Sequence, residues 1–167
     1  MAESDWQDYS EAVAEYEKIW AEDGEKIVNA WEKQTSLKFK ETEINASVIE
    51  GKSFSHPLTL RNTLPSSQKR ITLTHELGHR LLYFRVEGMA RDSLTRHKFL
   101  YLVLGDVLTE VYGAGALEEA RASDKKLQDQ FGEDKYTKSW DFALAFSQEE
   151  RQKKFQAILS GDLSSLK

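Results

Sequence analysis

The sequence predicts an α+β fold in which helix predominates and a small antiparallel sheet lies beside one motif-bearing helix. Three observations predict it. Apolar residues recur at three- and four-residue intervals over most of the chain, whereas between residues 35 and 60 they alternate. Two prolines and nine glycines leave few places where a helix must break. The length, 167 residues, suits one domain with a core of its own. Within that domain the pattern separates a helical segment over 1–34, a mixed core over 35–112 and further helices over 113–167.

The first helix opens with Ser4 and Gln7 in the form of a capping box. It carries the stripe Trp6, Tyr9, Val13, Tyr16 and Trp20, which reads as a helix docked by large side chains rather than a ligand-stacking surface. Asp23-Gly24 is expected to interrupt or kink it before Ile27 and Trp31 resume the pattern. Leu37 and Phe39, the run Ile44–Ile49, the turn Glu50-Gly51, and then Phe54, Leu58 and Leu60 predict two or three short strands in an antiparallel meander. Pro57 should confine its strand to an edge or an end. Residues 62–67 form a loop ending in a serine able to cap the next helix.

Everything beyond reads as helix: Gln68 to about Glu87, Thr95–Tyr112, Leu117–Phe131 stopped by Gly132, and Tyr136–Phe146. A last helix opens on the capping box Ser147/Glu150 and ends near Ser160-Gly161. The charge runs Glu118–Lys126 and Glu149–Lys154 read as solvated faces.

Composition bounds the function. With no cysteine, thiolate metal sites, disulfides and thiol nucleophiles are excluded, so any metal must be held by His, Asp or Glu. Twenty-three basic against 28 acidic residues, a net charge of −5, argue against a dedicated nucleic-acid binder. The acidic N-terminus is not a secretory signal, and the longest strongly apolar run, Phe99–Leu104, is too short to cross a bilayer. A cytoplasmic protein without a membrane or nucleic-acid partner is the expectation.

The chemistry is concentrated in His75-Glu76-Leu77-Gly78-His79, inside the helix that begins near Gln68. Residues four apart on a helix stack on one face with Cβ atoms about 6 Å apart. Two imidazoles so placed converge on one Zn²⁺ at about 2.1 Å each. Glu76 is offset from His75 by about 100°, within reach of a water but clear of the metal. That suits a general base, which takes the water's proton and returns it to a leaving amine.

This motif resembles that of the zincin metallopeptidases, the compact ImmA/IrrE-type peptidases included, over residues 44–112. The resemblance implies a zincin-like core, one zinc ion, and an edge strand that holds a peptide or protein substrate by β-augmentation above the metal. Arg80 stands at a position usually uncharged in the family's extended pattern.

A third ligand is needed, and His97, Asp106 and Glu110 are the candidates, all on the next helix. The two motif histidines centre on residue 77, about nine residues before the expected helix end. If the next helix starts near 97 and runs back alongside, the facing level is about residue 106. His97 would then lie more than ~10 Å from the metal. This count favours Asp106 or Glu110, the other supporting a histidine from behind. Should the connection over 86–94 not be a simple reversal, His97 returns as the third of three histidines. Tyr101, Tyr112 and His56 read as packed or loop residues, although a tyrosine hydroxyl can stabilise an oxyanion.

The expected function is peptide-bond hydrolysis by zinc-activated water with Glu76 as base. The alternative is a zincin-like binding or regulatory module with a structural or vestigial metal site, in which the aromatic first helix makes the partner contact.

Overall fold

The computed structural model describes residues 3–89 and 92–166, with side chains from Asp8 onward. The Ser4/Gln7 cap and Trp6 of the aromatic stripe lie outside the described side chains. The chain divides into two compact units, residues 1–81 and 82–167.

The first unit begins with α1 (Glu3–Thr35), one unbroken helix of 33 residues. Asp23-Gly24 does not interrupt it, contrary to expectation. A Cβ at Gly24 would lie 2.7 Å from the Trp20 ring. The glycine lets the indole lie flat along the helix, and its intrinsic cost of about 1 kcal/mol is too small to break so long an element. The buried face keeps Tyr16, Ile27 and Trp31 of the expected pattern and adds Ala12, Ile19 and Ala30, whereas Val13 and Trp20 are 40% and 48% exposed. Smaller residues at the right angle took the inward positions.

After α1 come β1 (Ala46–Ile49) and β2 (Leu58–Arg61), which pair in parallel with Ala46 opposite Leu58 and Ile49 opposite Arg61. The expected antiparallel meander is therefore wrong for this pair. Among the described residues the antiparallel element is Phe54, which exchanges two backbone hydrogen bonds with Thr59 at 3.0 and 2.9 Å. The chain reverses within residues 50–57, helped by Gly51 at φ 110°, and reverses again before entering β2. Two reversals restore the starting direction. Since Phe54 takes both backbone groups of Thr59, and Ile49 accepts from the Asn62 N–H at 3.0 Å, β2 runs between Phe54 and β1. Leu58 and Leu60 point inward, and Pro57 sits just before the strand, at its end as expected.

The second helix, α2 (Ser66–Leu82), stops about five residues earlier than expected. Phe84 adopts a left-handed conformation, φ 55°, and the Arg85 N–H bonds back to the Leu82 carbonyl. Three tethers hold α2 to α1. The Trp31 indole N–H donates to the Thr74 carbonyl at 3.0 Å. Glu15 accepts from both Ser66 and Lys69, and Arg70 lies near Glu22 and Asp23.

The second unit is built around α3 (Ser93–Tyr112), which buries ten of its twenty residues. Asp92 caps it by accepting from the Thr95 N–H at 2.9 Å. Around it pack α4 (Ala114–Phe131), α5 (Lys135–Leu144) and α6 (Gln148–Leu159), followed by a 3₁₀ turn at Leu163–Leu166. Phe99 stacks on Phe155 with ring centroids 4.7 Å apart. Gly105 admits Leu117 and Trp140, each 3.4 Å from where its Cβ would be. Gly132 ends α4 in the left-handed region, φ 68°, and Ser147/Glu150 form the expected capping box. Among the described residues, no helix is long and apolar enough to cross a membrane.

Candidate metal and catalytic site

Helix α2 is amphipathic in an unusual way. Leu73, Leu77 and Leu81 repeat every four residues and are buried, which orients the helix. His75 and His79, one turn apart and half-buried, share another face, with ring centroids 4.7 Å apart and planes at 70°. Glu76, between them in sequence, is only 8% exposed. Burial pushes its carboxyl up to about 7. Thr74 is fully buried and donates its hydroxyl to the Arg70 carbonyl at 2.9 Å, while its own carbonyl receives the Trp31 indole. The backbone immediately before His75 is thereby fixed from two sides.

Arg80 is put to structural use. Its guanidinium donates to the Ser55 carbonyl at 2.7 Å and lies 3.1 Å from the Glu41 carboxylate, so the turn carrying His79 is tied to the loop over 50–57. His56 is exposed on that loop, its ring nitrogen Nδ1 3.1 Å from Ser55 Oγ. Partial burial, and then the nearby Arg80 charge, lower its pKa.

In the second unit, His97 is 8% exposed near the start of α3. Its Nδ1 lies 2.5 Å from the Ser93 carbonyl and 3.2 Å from Ser93 Oγ. A carbonyl only accepts, so Nδ1 carries the proton and Nε2 the lone pair. Burial pushes the imidazole down to about 4, which keeps it neutral at pH 7. The Tyr136 ring meets it edge-on at 4.9 Å and the Tyr101 ring at 5.9 Å.

The two acids favoured from sequence, Asp106 and Glu110, lie on α3. Asp106 accepts from Arg151 of α6 at 2.6 Å. Burial raises its pKa and the Arg151 hydrogen bond opposes the rise. Its Oδ2 is buried without a hydrogen-bond partner among the described residues. Glu110 is exposed near the end of α3. Thus α2 brings His75, Glu76 and His79 together, and Asp106 is claimed by an arginine.

Sequence reasoning missed Ser93 and Asp124. The carboxylate of Asp124 accepts from Tyr101 at 3.0 Å and from Trp140 at 2.8 Å, although it lies in a run read as solvated. A signal was present: Asp124 follows the buried Ala116 and Ala120 at four-residue spacing. No known family model, curated protein or solved structure matches this chain.

Proposed function

We propose that the chain is a zinc-dependent peptidase with a zincin-like core, in which His75, His79 and His97 hold one zinc ion and Glu76 is the general base. The observation that carries this reading is the imidazole pair on one face of α2 with a buried carboxyl next to it in sequence. A buried Glu beside two histidines is costly as mere structure and useful as a base.

The choice of His97 over Asp106 and Glu110 has two supports. Among the described residues, His75, His79 and His97 are the set of three able to hold a metal ion. The second support is chemical. His97 is neutral with Nδ1 already held by a carbonyl, the arrangement that prepares an imidazole to ligate through Nε2.

Three neutral imidazoles fit a divalent first-row ion in tetrahedral geometry with one position open. Zinc bound there would supply Lewis acidity towards a peptide carbonyl and lower the pKa of water. Glu76 accepts the proton of the attacking water at its carboxylate and delivers it to the departing amine. Arg80 keeps the loop over 50–57 in place against the turn carrying His79. The substrate in this reading is a peptide or partner protein, and the setting is cytoplasmic, where a chain without cysteine has no need of an oxidising compartment.

Protein purified without a metal-affinity step should carry one zinc per chain. Glu76→Gln should keep the metal and lose at least about 100-fold in turnover against a diverse peptide library. Equal turnover in the two proteins would refute the assigned base. His97→Ala should weaken zinc binding more than about tenfold, and Asp106→Ala should not. The opposite result would return the third ligand to the acids.

A further inference from the structure

Helix α4 is polar for most of its length, yet it lends one carboxylate to the interior of the second unit. Asp124 Oδ2 accepts from the Tyr101 hydroxyl at 3.0 Å and from the Trp140 indole N–H at 2.8 Å. Both donors are neutral, and burial makes the charged carboxyl expensive there, pushing it up to about 6. What the contact secures is the placement of two rings. Tyr101 and Trp140 pack against each other with centroids 4.3 Å apart.

Both rings are linked to the aromatic contacts around His97. Tyr101 is itself four residues after His97 on α3 and meets its ring edge-on. Trp140 lies four residues after Tyr136 on α5, and Tyr136 supplies the other edge-on contact. Side chains four apart on a helix share a face, so fixing Trp140 fixes the face of α5 that presents Tyr136. The Ser93 carbonyl orients the His97 ring through Nδ1, and the two tyrosines limit its tilt.

We propose that Asp124 is a positioning residue for His97: by holding Tyr101 and Trp140 through one oxygen, it locks the aromatic bracket that sets the direction of the His97 ring. The inference rests on the reading of His97 as a metal ligand. Asp124 touches no ligand atom and acts through its two donors.

The test uses the full chain titrated with Co²⁺, whose visible d–d bands report coordination geometry. Asp124→Asn keeps an oxygen able to accept both hydrogen bonds and should match the wild type in affinity and spectrum. Asp124→Leu removes the acceptor and should bind Co²⁺ about tenfold more weakly, with an altered spectrum and unchanged circular dichroism. An Asp124→Leu protein that folds and binds as the wild type does would overturn the proposal, as would an Asp124→Asn protein as impaired as Asp124→Leu. If Asp124→Leu does not fold, Tyr101→Phe decides. A weaker, spectrally altered site then supports the bracket, and an unchanged one overturns it. Wild type that binds no Co²⁺ would bring down the metal reading itself, and the proposal with it. Wild-type binding with unaffected variants removes only the role of Asp124.

Discussion

The two units differ in what they bury. Of the seven buried polar residues among those described, Asp23, Thr35, Lys69, Thr74 and Glu76 lie in the first unit and only His97 and Ser139 in the second. The second unit is a conventional helical core, with Leu100, Leu102, Leu104 and Leu108 of α3 almost wholly enclosed. The first holds polar groups inside and satisfies most of them locally: Lys69 by Glu15, Thr74 by the Arg70 carbonyl, Thr35 by the Trp31 carbonyl at 2.6 Å. Burial of polar groups is unfavourable unless they are paired. Glu76, raised by burial alone, stands out against that background, and it belongs to the motif.

Four substitutions would break or sharpen this contrast. Leu104→Ala should have the largest effect, a loss of about 3–4 kcal/mol in denaturant unfolding, since it opens a cavity in the apolar unit. A loss below about 1 kcal/mol would show that α3 is not the centre of a packed core. Trp31→Phe should cost about 2 kcal/mol in the first unit. It removes both ring volume and the hydrogen bond to the Thr74 carbonyl, and an unchanged melting temperature would argue that α1 does not anchor α2.

Asp124→Asn should act in the opposite direction. Its carboxyl is pushed up to about 6 in the folded chain, above the ordinary value of 3.8. The folded state therefore holds the proton more tightly than the unfolded one, and wild-type stability falls as pH rises from about 4 through 6. Asparagine removes that penalty, so the variant should be more stable by on the order of 1–2 kcal/mol above pH 6 and no different below pH 4. Parallel pH profiles for the two proteins would contradict the desolvated carboxylate. The smallest effect belongs to Ser147→Ala, about 0.5–1 kcal/mol, because it removes one cap at the start of α6.

Much of this molecule is legible in its sequence. The helices after residue 66, the cap at Ser147, the stop at Gly132 and the burial of Ile27 and Trp31 all follow from local periodicity and capping chemistry. The pairing of His75 and His79 follows as well, because an α-helix places residues four apart on one face wherever it is docked. The continuity of α1 through Asp23-Gly24 was not legible, since a glycine's modest cost was outweighed by packing on both sides. Nor was the parallel pairing of β1 and β2. Strand direction depends on how many times the connection reverses, and alternation of apolar residues is the same either way.

Helix ends show where the division falls. Periodicity carries the motif helix to about Glu87 and starts the next at Thr95, whereas α2 ends at Leu82 and α3 starts at Ser93. The pairing of Asp106 with Arg151, 45 positions away, is likewise a product of tertiary packing. What the sequence determined alone is every relation that repeats within a turn or two of helix: the histidine pair, the caps and the apolar faces. What only the tertiary structure decided is where an element stops, which way a strand runs and which distant charge answers a buried one. Those depend on contacts between residues far apart in the chain, and no local pattern encodes them.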